Sequence, residues 1–160
     1  MLPCIEQMPQ PTDKATIRRA TARDGEVLTS TVRGASAYAG EYRKIVRDVL
    51  ISPEQIRRDH VYLCELDGEV AGFYALVSDD GGTELDFMFV ADEAQRLGIG
   101  RLLFGHMKNT ARMLGHRSVL IVSHPPAEPF YAKMGAVTVD REPPSGRVMW
   151  SRPRMRLELF

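Results

Sequence analysis

Cysteine is scarce in this sequence, with only Cys4 and Cys64 among 160 residues. A disulfide framework or a tetrahedral zinc site needs more cysteines or a close set of cysteines and histidines, and the sequence has neither. Cys64 lies in an alternating apolar run, where a thiol behaves as a small buried hydrophobe. We therefore expect neither a disulfide framework nor a metal centre.

Net charge and long apolar runs are also missing. Lysine plus arginine total 21, as do aspartate plus glutamate, so no overall field favours nucleic acid or an anionic membrane. No apolar stretch approaches the roughly 20 residues that span a bilayer. Residues 1–13 lack a basic segment followed by an apolar core, and their three prolines suggest a flexible N-terminal arm. We expect a cytoplasmic protein whose partners include neither nucleic acid nor membrane.

The apolar pattern predicts one domain over residues 14–160, since the length suits a single core. Period-2 and helical patterns predict, in order, a strand at 16–20, helices at 25–39, 42–50 and from 53, three strands at 61–66, 70–77 and 84–90, a helix at 99–114, a strand at 119–122, a helix at 127–134, and strands at 137–139 and 155–159. This order indicates a mixed α/β fold: a largely antiparallel sheet of six to seven strands with helices on both faces.

A glycine-rich turn joins the third strand of the meander to the amphipathic helix that follows. It consists of Gln95, Arg96, Leu97, Gly98, Ile99, Gly100 and Arg101. The first amides of a helix have no helical acceptors and lie at the positive end of its dipole, so they bind anions, and glycines allow close approach to the backbone. The two arginines add positive charge. The turn therefore predicts a site for a pyrophosphate.

Two common nucleotide-binding patterns do not fit this turn. The dinucleotide fold needs a third glycine and an early parallel βαβ unit, whereas this turn comes late, after antiparallel strands. The phosphate-binding loop ends in Gly-Lys-Ser/Thr, which is missing here.

The turn resembles the signature of the GCN5-related N-acetyltransferase superfamily. The signature follows a strand that ends in valine. It consists of glutamine or arginine, any two residues, glycine, any one residue, and glycine or alanine. Val90, Gln95, Gly98 and Gly100 match it. Residues 130–136, Phe-Tyr-Ala-Lys-Met-Gly-Ala, look like the family's second motif. The order of elements agrees over nearly the whole domain.

The last part of the chain resembles a bacterial subgroup of these enzymes whose substrates are mostly unassigned. That subgroup has Asp-Pro-Asn-Ala before the aromatic pair, where this chain has His124-Pro125-Pro126-Ala127. Pro126 thus replaces an asparagine whose amide would contact the cofactor arm, which puts that contact in doubt but not the pyrophosphate site.

The resemblance implies an N-acetyltransferase, with acetyl-CoA as acyl-donor co-substrate and no metal. The acetyl group would pass to a primary amine of a small molecule or protein by direct attack in a ternary complex. Backbone amides near Met88, Phe89 and Val90 would pair with the pantetheine arm, and Tyr131 would protonate the departing thiolate. The expected partner is a small-molecule or peptide amine, and a homodimer is left open. The alternative is a non-catalytic acyl-CoA-binding regulatory module on the same fold.

The general base is predicted to be a carboxylate on the third meander strand. Strict alternation places Glu84 and Asp86 on the face of Met88 and Val90, and puts Leu85, Phe87 and Phe89 on the other. A carboxylate in an apolar strand is costly unless it has a partner or a function. We take Glu84 as the base, with Asp86 or water as alternatives.

Three further side chains are candidates near the acceptor. Tyr38 and Tyr42 are plausible substrate contacts, although a spacing of four also suits a packing face. His124 has a near-neutral ordinary pKa and could relay a proton. A lone histidine beside two prolines is, however, more often a surface or capping residue.

Overall fold

The computed structural model describes residues 14–146 and 148–160. The predicted N-terminal arm, residues 1–13, lies outside the described residues. The strands and helices are β1 (Ala15–Arg19), α1 (Gly25–Arg33), α2 (Arg43–Val46), α3 (Pro53–Arg58), β2 (His60–Leu66), β3 (Glu69–Asp79), β4 (Gly82–Val90), α4 (Ile99–Met113), β5 (Ser118–Val122), α5 (Glu128–Lys133), β6 (Val137–Glu142) and β7 (Arg152–Glu158).

The seven strands form one sheet in the order β1-β2-β3-β4-β5-β7-β6. Strands β4 and β5 run parallel and pair at Glu84 and Leu120, while the other neighbouring strands pair antiparallel. The predicted mixed, largely antiparallel sheet is therefore confirmed. In the part of the chain that the structure describes, none of the helices has the length and apolar character needed to cross a membrane.

Each face of the sheet carries its own apolar core, because successive strand side chains point to opposite faces. Tyr74 and Leu76 of β3 pack beneath α4 and α5, in a core that includes Leu103, Phe104, Met107 and Tyr131. Phe73 and Ala75 of the same strand pack beneath α1, α2 and α3, in a core that includes Leu28, Val32, Val46 and Ile56. The helices thus cover both faces, as predicted.

A β-bulge interrupts the alternation of β4. Leu85 and Phe87 pair with consecutive residues of β3, which leaves Asp86 as the extra residue. As a result Leu85 packs in the core beneath α4, whereas Phe87 and Phe89 pack on the opposite face. The prediction that these three apolar residues share a face is wrong, because the bulge shifts the period by one residue.

The helices predicted at 25–39 and 42–50 are shorter in the structure. The first ends at Arg33, followed by a 3₁₀ turn at Ser36–Tyr38, and the second keeps only Arg43–Val46. The carbonyl of Ala37 accepts a hydrogen bond from Nε2 of His124 at 2.8 Å, and Tyr38 stacks on that imidazole. These tertiary contacts, together with Gly34 at the end of α1, replace the helical bonds that the spacing predicted.

Candidate active site

A cavity of about 450 Å³ opens where β4 and β5 end, beside the start of α4 and against α5. It brings together most of the residues that the sequence singled out. Those lining it are Tyr38, Met88, Phe89, Val90, Gln95, Arg96, Gly98, Ile99, Gly100, Arg101 and Tyr131, with Asp86 and His124. The others lie elsewhere: Leu97 packs against the core beneath α4, Tyr42 lies against His124 and Trp150, and Glu84 lines a separate depression.

The backbone of the glycine-rich turn positions the first amides of α4. Gly98 has φ +81 and precedes the helix in the left-handed conformation that favours glycine. The first helical bond runs from the amide of Leu102 to the carbonyl of Gly98 at 3.1 Å. The amides of residues 99–101 therefore have no acceptor within the helix, and Arg96 and Arg101 line the same cavity. This end of the cavity suits an anion.

Gln95 and Gly100, which line the cavity, also face other parts of the protein. The Nε2 of Gln95 donates a hydrogen bond to the carbonyl of Val90 at 2.9 Å, so this side chain ties the turn to the end of β4. A Cβ on Gly100 would lie 3.4 Å from Cζ of Phe130. This distance is an ordinary van der Waals contact, so the Phe130 ring of α5 does not by itself require glycine at position 100.

Tyr131 lies on α5 at the inner wall of the cavity and is only 8% exposed. Its ring packs against Phe130 and Phe104, with centroids 5.3 and 6.2 Å away. Burial, with a smaller effect from Tyr38, raises the pKa of the Tyr131 phenol above its ordinary value. At neutral pH the hydroxyl is therefore protonated and can donate to a charge that develops inside the cavity.

The two carboxylates of β4 occupy different surroundings. Asp86 lines the same cavity as Tyr131, and its Oδ2 accepts a hydrogen bond from Gln55 at 3.4 Å. Asp86 stays exposed to solvent, and partial desolvation, with the nearby charge of Asp59, raises its pKa. Glu84 lines the other depression together with Arg154. Burial and the charge of Asp86 raise the pKa of Glu84 as well.

An aromatic wall closes the cavity on the side of residues 35–42. The ring of Tyr38 stacks on His124, with centroids 3.8 Å apart and planes 13° apart, and it also contacts Phe89. Tyr42 meets the edges of His124 and Trp150 at 4.5 and 4.8 Å. Burial raises the pKa of Tyr38 to about 12. Tyr38 therefore lines the cavity, whereas Tyr42 packs behind His124 outside the lining, and the role of both as acceptor contacts stays a prediction.

His124 follows β5 directly and lines the cavity. Its Nε2 donates to the carbonyl of Ala37, and desolvation lowers the pKa of the imidazole, so the ring is neutral at pH 7. Trp150 was not singled out from the sequence. As the only tryptophan, in the loop before β7, it has no motif that would have pointed to this wall.

A family model described as "Acetyltransferase (GNAT) domain" matches residues 42–157. No curated protein matches the sequence significantly. Among solved structures, the fold is similar to that of a GCN5-related N-acetyltransferase from Rhodopseudomonas palustris (TM-score 0.75, 17% identity, covering 91% of this chain and 96% of that one). The fold is also similar to that of the PaiA N-acetyltransferase from Thermoplasma acidophilum in complex with coenzyme A (TM-score 0.73, 20% identity, covering 90% of this chain and 98% of that one).

The ribosomal-protein-S18-alanine N-acetyltransferase from Escherichia coli is similar too (TM-score 0.70, 18% identity, 91% of this chain and 94% of that one). At such low sequence identities these structures establish only the fold, and family membership rests on the match to the family model. Because that model spans most of the chain, the protein belongs to the GNAT acetyltransferase family and is an acyltransferase.

Proposed function

We propose that the protein transfers an acetyl group from acetyl-CoA to a primary amine of a small molecule or peptide, by direct attack in a ternary complex. The observation that carries this proposal is a single cavity with an anion-binding helix start at one end and a buried, protonated tyrosine on its wall. The coenzyme A complex of the similar Thermoplasma protein supports the choice of donor.

The residues present fit coenzyme A. The free amides at residues 99–101, with Arg96 and Arg101, would hold the pyrophosphate. The backbone of β4 at residues 88–90, which lines the cavity, would pair with the amides of the pantetheine arm. Pro126 lies in the 3₁₀ turn Pro125–Ala127 and offers no side-chain amide, so donor binding would depend on the helix start and the strand.

The chemistry requires one proton to leave the amine before attack and another to reach the sulfur. An unperturbed alkyl ammonium has a pKa of about 10.4, so a base must take its proton near neutral pH. We propose Asp86 for this step, because it lines the cavity with Tyr131; Glu84 is the other predicted base. As the N–C bond forms and the C–S bond breaks, the Tyr131 hydroxyl donates its proton to the thiolate, and the second amine proton restores the phenol.

Two isosteric variants on one strand distinguish these bases. Asp86→Asn should lower kcat/KM by about 10²-fold or more, since general-base catalysis contributes at least that factor. Glu84→Gln, the matched control outside the cavity, should change it only slightly. A large loss with Glu84→Gln alone would instead assign the base to Glu84. Full activity in both variants would leave water as the proton acceptor.

The proline at position 126 favours one other function, an acyl-CoA-binding module that does not turn over. Such a module would show an increase in Tm with acetyl-CoA. It would nevertheless release no thiol with any amine, and Tyr131→Phe would change nothing measurable. Amine-dependent thiol release would exclude it.

A further inference from the structure

Three arginines alternate along β7, and within the part of the chain that the structure describes one of them lacks the carboxylate partner that the other two have. Arg154 pairs with Glu142 at 3.1 Å, and Arg156 pairs with Glu158 at 3.8 Å. Arg152 is half-buried, and its Nε is fully buried without a hydrogen-bond partner among residues 14–146 and 148–160. Within the same residues, no carboxylate lies within 4.0 Å of its guanidinium.

Arg152 lies at the end of the sheet where the cavity opens. The amide of Ser123 donates to the carbonyl of Pro153 at 2.9 Å, which places the start of β7 beside the residue that precedes His124. Met155 and Leu157 face the core beneath α4, so Arg152 points to the opposite face, where the aromatic wall lies. Its positive charge offsets a small part of the rise in the pKa of Tyr38 that burial causes, as expected of a charge on the same side of the sheet.

The surroundings of Arg152 define the charge that it can bind. A half-buried guanidinium has only donors, and a carboxylate matches its planar fork with two parallel hydrogen bonds. Because Nε is buried, a ligand would reach the terminal Nη groups. Glu84, whose carboxylate is influenced by the charges of Arg154 and Arg152, offsets part of the positive charge here, although burial and Asp86 raise its pKa overall. The site therefore favours a singly charged carboxylate over a phosphate dianion.

We propose that the acceptor is an amine that carries a carboxylate in the same molecule, and that Arg152 binds this carboxylate while the amine enters the cavity. This inference rests on the proposed acetyl transfer and names its substrate class. Asp86, which lines the cavity with Tyr38, and Arg152, whose charge acts on Tyr38, would then match the two opposite charges of an amino acid.

The test compares amines that differ only in this group: α-, β- and γ-amino acids, their carboxamides, and the aminoalkylphosphonates of the same lengths. Wild-type protein should use at least one amino acid with a kcat/KM about 10- to 100-fold above that of its carboxamide, the range for a charge-assisted hydrogen bond. Arg152→Gln should abolish this preference by raising KM for the acid, with KM for the carboxamide unchanged. Arg156→Gln, the control on the same strand face, should keep the wild-type preference.

Several results would overturn this inference. Carboxamides used as well as acids by the wild-type protein would do so, as would phosphonates preferred to carboxylates, or an equal loss for acids and amides with Arg152→Gln. If Arg152→Gln does not fold, the wild-type comparison and Arg152→Lys, which should keep part of the preference, still decide. If no amine releases thiol, the proposed transfer itself fails; if neutral amines react equally well, only the substrate class fails.

Discussion

Replacing Tyr131 with phenylalanine removes one hydroxyl from the wall of the cavity and leaves the ring in place. The pKa of Tyr131 is raised by burial and by Tyr38, with no hydrogen bond contributing. The ring packs between Phe130 and Phe104, and these contacts persist in Tyr131→Phe. The free energy of unfolding should therefore change by less than about 1 kcal/mol, because the Tyr131 hydroxyl makes no hydrogen bond to any residue that the structure describes.

Catalysis should respond very differently to this substitution. A positioned general acid contributes about 10²- to 10⁴-fold, so kcat should fall by at least about 100-fold, or ~2.7 kcal/mol in activation free energy. The Kd for acetyl-CoA should stay within about twofold of the wild-type value, since the residues expected to hold the pyrophosphate are the first amides of α4, Arg96 and Arg101, and not Tyr131.

The assay for Tyr131→Phe follows amine-dependent thiol release at saturating acetyl-CoA, with urea unfolding measured on the same preparation. The raised pKa also predicts that wild-type activity shows no loss from Tyr131 ionisation below about pH 10, the ordinary value for a tyrosine. Unchanged kcat, or a fall in kcat matched by an equal loss of stability, would refute the role as acid and leave Tyr131 as a packing residue.

Three other substitutions test the fold and the donor site. Gly72→Ala should lower the free energy of unfolding by about 1–3 kcal/mol in urea titrations, since its Cβ would lie 2.6 Å from the carbonyl oxygen of Phe89; a cost below ~0.5 kcal/mol would contradict the packing. Asp24→Asn should cost about 1–2 kcal/mol at pH 7, because Asp24 accepts two bonds from Arg18 at 2.9 Å. Arg18 lowers the pKa of Asp24 in the folded protein. Ionised Asp24 therefore adds to the free energy of unfolding above about pH 3.9, and this addition is lost as the pH falls towards the folded-state pKa. The pH dependence of unfolding of Asp24→Asn should lack this loss. Arg101→Gln should raise KM for acetyl-CoA about fivefold at low salt, and an unchanged KM in steady-state kinetics would place the pyrophosphate elsewhere.

The elements of the fold were predictable because their patterns are local. Asp67-Gly68 forms the tight turn between β2 and β3, Ser52 caps α3 by accepting from the Gln55 amide at 3.1 Å, and Gly115, at φ +88, ends the helix α4. Each depends on a few neighbouring residues. The segment from Gly34 to Leu50 was less predictable, because its conformation depends on contacts with His124, far along the chain.

The bulge at Asp86 has no local signal. Glu84 to Phe87 alternate between acidic and apolar residues, and only the pairing with β3 shows that one residue is extra. The sequence therefore could not show that Asp86 lines the cavity while Glu84 lines the neighbouring depression.

The residues of the candidate site that belong to sequence motifs were predictable, whereas those brought together only by strand pairing were not. The glycine-rich turn and Tyr131 were found from their motifs, and the structure places both at one cavity, although their roles stay predictions. Arg152 became visible only through the pairing of β5 with β7, which brings it to the open end of the sheet. Among the described residues no carboxylate pairs with Arg152, and this depends on which strands pack beside it, so no spacing in the sequence predicts it.

The most direct measurement of the central claim is thiol release from acetyl-CoA over a panel of primary amines, with the acetylated product identified by mass spectrometry. The account predicts amine-dependent release that is abolished or strongly reduced in Tyr131→Phe, while this variant still binds acetyl-CoA. Tight binding of acetyl-CoA with no amine-dependent release across the panel would contradict it.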